Sequence, residues 1–269
     1  VIGKVITASR DLGGFHFTGS TSTFNTLWRQ IGENLGHYKS YPKIVGETGG
    51  KNFIFVHPSA PALEVATAIV RGAFEYQGQK CSAGSRAYIP ASLWKEVKDY
   101  VGDMLKEIKM GDVQDFTNFV NAVIDEASFD NIMSYIDYAK QSPDAEIVFG
   151  GNGDKSVGYF VEPTVIRTTD PMFKSMVEEI FGPVLPMLPF DDIGEAVALI
   201  NDREKPLALY YFGPEKTGRE VLLHTSSGGA CINDTIMQIA NDRLPFGGVG
   251  NSGMGRYHGH DSFDAFSLR

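Results

Sequence analysis

Residues 53–90 read FIFVHPSAPALEVATAIVRGAFEYQGQKCSAGSRAYIP. Phe53–Val56 is a short apolar run with the composition of a fully buried strand. Pro58–Pro61 (PSAP) breaks it. Ala62–Phe74 then repeats apolar residues at helical spacing. After a turn built on Gln77–Arg86, the run Ala87–Ile89 returns to strand character. Strand, helix and strand in immediate succession is the α/β pattern, in which consecutive strands run parallel and helices cover the sheet.

The pattern continues in both directions. Upstream, Gly14–Phe17 reads as a strand, and Thr23–Leu35 as an amphipathic helix with Phe24, Leu27, Trp28 and Ile31 on one face. Ile44–Gly46 leads into a glycine-rich turn, GETGGKN. Downstream, helices are expected over Leu93–Ile108, Phe129–Ala139, Ile193–Asn201 and Gly218–Leu223. Strands are expected over Glu146–Phe149, within Tyr159–Ile166, and over Val184–Leu188, Ala208–Phe212 and Ala230–Asn233. The whole predicts an α/β fold with a mostly parallel sheet flanked by helices. Arg243–Gly255 (RLPFGGVGNSGMG) is the least regular stretch, with five glycines among its thirteen residues, a composition suited to close backbone approach beside a site.

Bulk properties narrow the function classes. The chain has 269 residues, 42% hydrophobic and 21% charged, with a formal net charge of −9. Those are ordinary globular values. The acidic balance argues against nucleic acid or an anionic membrane surface as partner. No apolar run approaches the roughly 18 residues of a membrane span. Two cysteines, Cys81 and Cys231, make no disulfide framework, which points to a reducing compartment. The opening VIGKVITASRDLGG lacks the features of a signal peptide; the chain is expected to begin inside a folded unit, as a fragment or isolated domain.

Four stretches carry candidate chemistry. Cys81 is flanked by Lys80, which adds positive charge, and by small residues that leave room for an incoming group, as a thiolate nucleophile requires. Cysteine is also among the most buried residue types, so this decapeptide alone is equally readable as structural; Cys231, in apolar GGACIND, reads as structural. Glu47 in GETGGKN has Gly46, Gly49 and Gly50 around it and suits a general base for water. FTGST (Phe17–Thr21) ends a strand and opens a helix, a place that favours phosphate but where a Ser or Thr cap is also ordinary. EEIFGPV (Glu178–Val184) pairs a carboxylate with an aromatic beside Gly182-Pro183, which alone would explain a tight turn. The histidines His16, His37, His57, His224, His258 and His260 are scattered and form no zinc pattern with the cysteines; His258 and His260 read as a surface pair.

Taken together and in order, the FTGS turn, E-x-G-G-K, G-Q-x-C, EEIFGP and the late PFGG loop resemble the aldehyde dehydrogenase superfamily, across essentially the whole chain. The spacing from Glu47 to Cys81 also resembles that family. The resemblance implies oxidation of an aldehyde to a carboxylate: a thiohemiacetal on Cys81, hydride passed to NAD(P)+, and a thioester hydrolysed by water that Glu47 activates. It implies cofactor contacts from Gly19 and Ser20 near the pyrophosphate, Thr48, Glu179 at the nicotinamide-side ribose, and Phe181 at the nicotinamide. Lys80, Ser82 and Phe246 are implied at the substrate, and the backbone N–H of Cys81 at the oxyanion. No metal is implied.

HFTGST, YPKIVGETGGKNFIFVHPSA, FEYQGQKCSAGSR, VIDEASFDNI and SVGYFVEPTVI resemble the branch that oxidises L-glutamate γ-semialdehyde in proline catabolism. There Lys80 and Ser82 would meet the substrate carboxylate. EEIFGPVLP, REKPLALY, TSSGGACIND and LPFGGVGNSGMGRYHG resemble the class 3 branch, which takes fatty and aromatic aldehydes, with a junction near Glu179–Leu185. DTIMQIANDRL, before PFGG, offers Thr235 but no Gly-Ser anchor for a carboxylate. The resemblance divides the chain into residues 1–46, the last piece of a Rossmann-type cofactor domain; residues 47–255, the catalytic thiol domain; and residues 256–269, a tail. It implies that upstream cofactor-binding residues lie outside the chain, so that NAD, or NADP, binds this chain weakly or not at all. Other expectations are a cytoplasmic location, or the mitochondrial matrix if the source is eukaryotic, and possible homo-oligomers. A catalytically silent folded domain is the reading from another class.

Overall fold

The computed structural model describes residues 2–267; Val1, Leu268 and Arg269, at the ends of the first and last expected segments, lie outside the described residues. In chain order the elements are α1 (Ile2–Thr7), β1 (Gly14–Thr18), α2 (Thr21–Glu33), β2 (Lys43–Glu47), β3 (Phe53–Val56), α3 (Ala62–Phe74), β4 (Arg86–Pro90), α4 (Ala91–Glu107), α5 (Glu126–Gln141), β5 (Ala145–Phe149), β6 (Gly153–Asp154), β7 (Phe160–Val161), β8 (Thr164–Thr168), α6 (Lys174–Val177), β9 (Val184–Phe190), α7 (Ile193–Asn201), β10 (Ala208–Phe212), α8 (Glu215–His224), β11 (Gly229–Ile232), β12 (Gly253–Met254) and α9 (Gly259–Phe266).

The FIFV strand is central. The main sheet has seven strands in the order β11-β10-β3-β4-β9-β8-β5. Every neighbouring pair is parallel except the edge pair β5–β8. This is the mostly parallel α/β sheet that the alternation of elements anticipates. Successive side chains point to opposite faces, so Phe53 and Phe55 enter one apolar core with Tyr88, Phe190, Leu209 and Tyr211. Ile54 and Val56 enter the other with Ala87, Ile89, Ala208 and Tyr210. Helices α5, α7 and α8 cover the first face through Ile132, Ile200 and Val221. Helices α3 and α4 cover the second through Val65, Ile69, Val97 and Val101. Burial on both faces explains why β3 and β10 read as continuous apolar runs rather than alternating ones.

A second sheet of three strands, β1-β2-β12, stands beside the first. β1 and β2 are parallel, and β12 closes the other side antiparallel, with Gly253 opposite Glu47. β2 thus continues through Glu47, and its sheet takes in residues 253–254 from the glycine-rich loop.

Helix starts follow their caps: Asp125 accepts from the Ser128 N–H at 2.7 Å and Asp192 from the Glu195 N–H at 2.9 Å, satisfying otherwise orphaned N–H groups. Two details differ from expectation. Trp28 is 46% exposed although it lies near the buried Phe24–Ile31 stripe of α2, because that helix packs on one side only. His258 is half-buried, its ring stacked on Phe246 at 5.3 Å, whereas exposed His260 pairs with Asp264.

Candidate active site

Glu47 is the last residue of a strand, not part of the glycine turn where the sequence pattern put it. Its backbone is held from both sides: Gly19 N–H donates to the Glu47 carbonyl at 3.1 Å, and the next amide, Thr48 N–H, to Ser252 O at 3.1 Å. Gly46 must lack a side chain, because a Cβ there would lie 2.4 Å from the Phe24 ring of α2. That close packing leaves the Glu47 side chain only 1% exposed. Among the described residues neither carboxyl oxygen has a hydrogen-bond partner. Burial pushes its pKa up to about 7, against partial stabilisation of the charge by the facing Tyr257 hydroxyl, the Cys81 thiol and the Arg256 guanidinium. A carboxyl poised near neutrality is suited to give and take protons.

Cys81 sits in the turn before β4, and buried Asn52 holds that turn. The Asn52 Nδ2 group donates to Cys81 O at 2.6 Å and Ala83 O at 2.8 Å, while its Oδ1 accepts from the Ala208 N–H at 2.8 Å. One side chain therefore ties the cysteine turn to β10. The turn is entered through two consecutive residues in the left-handed region, Tyr76 (φ 54°) and Gln77 (φ 57°), conformations that non-glycine residues hold only when the surroundings enforce them. The thiol is pushed up to about 11, first by burial and then by the negative charges of Glu47 and Glu179; the Ser82 amide opposes this. At rest it is a thiol facing a carboxyl, and attack requires its proton to leave.

Glu179 closes the group from the far side. The Gly50 N–H donates to its Oε1 at 3.3 Å, and a Cβ on Gly49 would lie 2.2 Å from its Oε2. The glycines of GETGGKN therefore form a saddle for this second carboxylate. Burial raises the Glu179 pKa, with the Gly50 amide and Lys51 opposing. Phe181 follows in the left-handed region (φ 57°) and is 47% exposed, a strained, open ring of the kind that gathers at functional sites.

These groups meet at a cleft of about 360 Å³ between the two sheets, lined by Thr18, Gly19, Ser20, Glu47, Thr48, Gly49, Cys81, Glu179 and Phe181. The structure thus brings both expected catalytic residues and all five expected cofactor residues to one cavity. It does not bring the three expected substrate residues onto that lining. Lys80 is paired with Glu75 at 2.7 Å. Ser82 is 2% exposed and Phe246 3% exposed, the latter packed between Tyr257 and His258. Thr235 is also buried, against Gly72 of α3. The Ser20 hydroxyl caps α2, accepting from Thr23 N–H at 3.3 Å, the ordinary role of a serine at a helix start.

The residues lining the cleft could hold the nicotinamide end of a dinucleotide. Glu179 offers a carboxylate acceptor for a ribose diol, Phe181 an open ring face, and Gly19 and Gly49 bare backbone. Asn52 and Tyr257 are functional neighbours that pattern reading missed. Asn52 was visible as the last residue of GETGGKN, whereas nothing local marks Tyr257. Among the described residues no group of three or more His, Cys, Asp or Glu converges as a metal site, and no helix is long and apolar enough to cross a membrane.

Comparison with known proteins identifies the family. A family model described as the aldehyde dehydrogenase family matches residues 1–268. The mitochondrial delta-1-pyrroline-5-carboxylate dehydrogenase of Dictyostelium discoideum is 48% identical over 261 residues, 94% of this chain and 47% of that protein. A crystal structure of an NAD-dependent aldehyde dehydrogenase from Sinorhizobium meliloti superposes with a TM-score of 0.92 at 28% identity, over 99% of this chain and 51% of that one. The delta-pyrroline-5-carboxylate dehydrogenase of Mycobacterium tuberculosis, solved bound with NAD, gives a TM-score of 0.82 at 37% identity, over 92% and 46%. The chain spans about half the length of the curated relatives it matches.

Proposed function

Because the chain belongs to the aldehyde dehydrogenase family, we propose that it carries the thiol and the base for NAD(P)-dependent oxidation of an aldehyde to a carboxylate, with L-glutamate γ-semialdehyde as substrate. The observation that carries the reading is the meeting of Cys81, Glu47, Glu179 and Phe181 at one cleft. The substrate follows from the relatives, whose names place them in pyrroline-5-carboxylate oxidation.

The chain's own groups act as follows. The Cys81 proton leaves toward the Glu47 carboxylate, which faces it, and the sulfur adds to the aldehyde carbon to give a thiohemiacetal. The Cys81 amide stabilises the oxyanion; among the described residues no backbone carbonyl accepts from it. Glu179 and Phe181 orient the nicotinamide end, and when bound the cofactor supplies the hydride acceptor. Departure of hydride from the thiohemiacetal leaves a thioester on Cys81. Glu47, with a pKa of about 7, gives its first proton up to solvent, takes another from the water that attacks the thioester and returns it to the departing Cys81 sulfur, releasing the carboxylic acid, which ionises, and the thiol. Residues 1–46 form the cofactor-domain piece, residues 47–255 the thiol domain and residues 256–269 the tail. The cleft contacts one end of the dinucleotide, so binding by this chain alone is weak. The compartment is reducing: the mitochondrial matrix in a eukaryote, the cytoplasm otherwise.

A second reading, broad aliphatic or aromatic aldehyde oxidation, is favoured by one observation. Lys80 is engaged with Glu75, and Thr235 is buried against α3, so neither offers a free anchor for a substrate carboxylate. The test compares NADH formation from L-glutamate γ-semialdehyde and from hexanal by the full-length protein, with Cys81→Ala as control. Preference for hexanal selects the second reading, and activity that survives Cys81→Ala defeats both.

A further inference from the structure

One polar chain, half-buried at its start and wholly buried at Tyr210, lies outside the chemistry above. Cys231, on edge strand β11, donates its S–H to Gln238 Oε1 at 2.9 Å. The Gln238 Nε2 group donates to the Tyr210 hydroxyl oxygen at 3.2 Å. Tyr210, wholly buried on β10, donates its O–H to the Ser82 carbonyl. All three bonds run in the same direction, from the sheet edge inward. With its amide nitrogen spent on the phenol oxygen, Gln238 leaves the phenol hydrogen free for Ser82.

Ser82 is the residue after the nucleophile, and its amide N–H favours the Cys81 thiolate. That amide belongs to the peptide whose carbonyl Asn52 holds. The Ser82 carbonyl, one peptide further on, is the one that Tyr210 holds. The segment carrying the thiolate-stabilising N–H is thus clamped on both sides, from β3 by Asn52 and from β10 by Tyr210. The other charged groups facing the sulfur are Glu47 from β2 and Glu179 from the turn after α6, and both oppose the thiolate; the Tyr257 phenol faces the same pair. The Ser82 N–H is therefore the one of these neighbours that favours it, and the clamp holds the carbonyls of the peptides on either side of Ser82.

We propose that Tyr210 and Gln238 are positioning residues for the nucleophile: through the Ser82 carbonyl they keep the Ser82 N–H directed at the Cys81 sulfur. This rests on the reading of Cys81 as the nucleophile. A buried carbonyl that loses its donor turns to find another or takes up water, and here such a turn would rotate Ser82 and misdirect the N–H.

The test is the pH profile of iodoacetamide alkylation at Cys81, followed on the Cys81 peptide by mass spectrometry. It uses the full chain, Tyr210→Phe, Gln238→Leu and the double variant, with circular dichroism to confirm folding. Tyr210→Phe should alkylate up to about threefold more slowly near pH 8, with the profile moved to higher pH, as a rise of up to about one pKa unit requires once the greater nucleophilicity of a higher-pKa thiolate is counted. Gln238→Leu should move it less in the same direction, and the double variant should match Tyr210→Phe alone, because the residues act in series. Superimposable profiles for Tyr210→Phe and the parent, or effects that multiply in the double variant, overturn the proposal. Should Tyr210→Phe fail to fold, half-buried Gln238→Leu decides by the same criterion. Failure of the nucleophile reading is separately visible as activity surviving Cys81→Ala.

Discussion

Replacing Glu47 by glutamine removes a charge and almost no volume, and the two halves of the proposed chemistry should answer in opposite directions. Cys81 stands at about 11 partly because of the Glu47 carboxylate. Taking the carboxylate's share as about one pKa unit, or ~1.4 kcal/mol, its loss raises the thiolate fraction near pH 8 about tenfold, since the thiol is almost wholly protonated there. A thiolate of lower pKa is also a weaker nucleophile, with a Brønsted slope of about 0.4–0.5, so alkylation should quicken by about threefold rather than tenfold. Thioester hydrolysis loses its base and should slow by about 10²–10⁴-fold. Both are measurable on one preparation: iodoacetamide labelling of Cys81, and turnover of an activated ester, where Glu47→Gln should give a burst followed by a stalled acyl-enzyme. Slower labelling in Glu47→Gln, or undiminished steady-state ester turnover, would refute the placement of this carboxylate against this thiol.

Three further outcomes follow from the same structure. The Glu47 pKa of about 7 lies above the ordinary 4.5, so its contribution to stability is present below the unfolded value and lost as pH rises through the folded one; melting temperature should fall from pH 5 to 8 by the equivalent of up to about 3 kcal/mol, and Glu47→Gln should flatten that decline. Asn52→Ala removes the donor for two buried carbonyls and the acceptor for one buried amide; it should cost about 2–4 kcal/mol in chemical denaturation, and a loss under 1 kcal/mol would contradict the clamp. Gly49→Ala places a methyl 2.2 Å from Glu179 Oε2, so calorimetric titration with NAD+ should show binding at least about tenfold weaker than in the parent.

The main sheet was legible because its strands are buried on both faces and its helices on one, so each period survives in the sequence. FIFV, ALYYF and ILMFV-rich helix stripes announce themselves. Boundaries were less legible where a cap or proline sets them: α4 begins at Ala91 because Pro90 ends β4, two residues before the apolar spacing starts. The six-residue α1 and two-residue β12 are too short to carry a period. In the site, Cys81 and Glu47 were singled out by glycine and small-residue neighbours that make room, and received their roles only from the resemblance of the ordered motifs. Tyr257 was not, since its position depends on a chain reversal that brings β12 against β2. Lys80 was placed at the substrate by the family resemblance, with its charge in support; its pairing with Glu75 depends on the left-handed turn at Tyr76 and Gln77, which no residue type there advertises.

The strand that carries Glu47 also has a history in time. It lies between β1, which precedes it, and β12, whose Gly253 pairs with Glu47 only after more than two hundred further residues have been joined. Thr48 likewise waits for Asn251 and Ser252 to receive its hydroxyl and amide hydrogens. A chain emerging from the ribosome can lay β3 beside β4 and form the cysteine turn long before the partner strand exists, because local pairings close sooner than distant ones. The half-made protein therefore holds a reactive-type cysteine without its fixed carboxylate. Order of synthesis thus delays the fixing of that carboxylate until Gly253 has been joined.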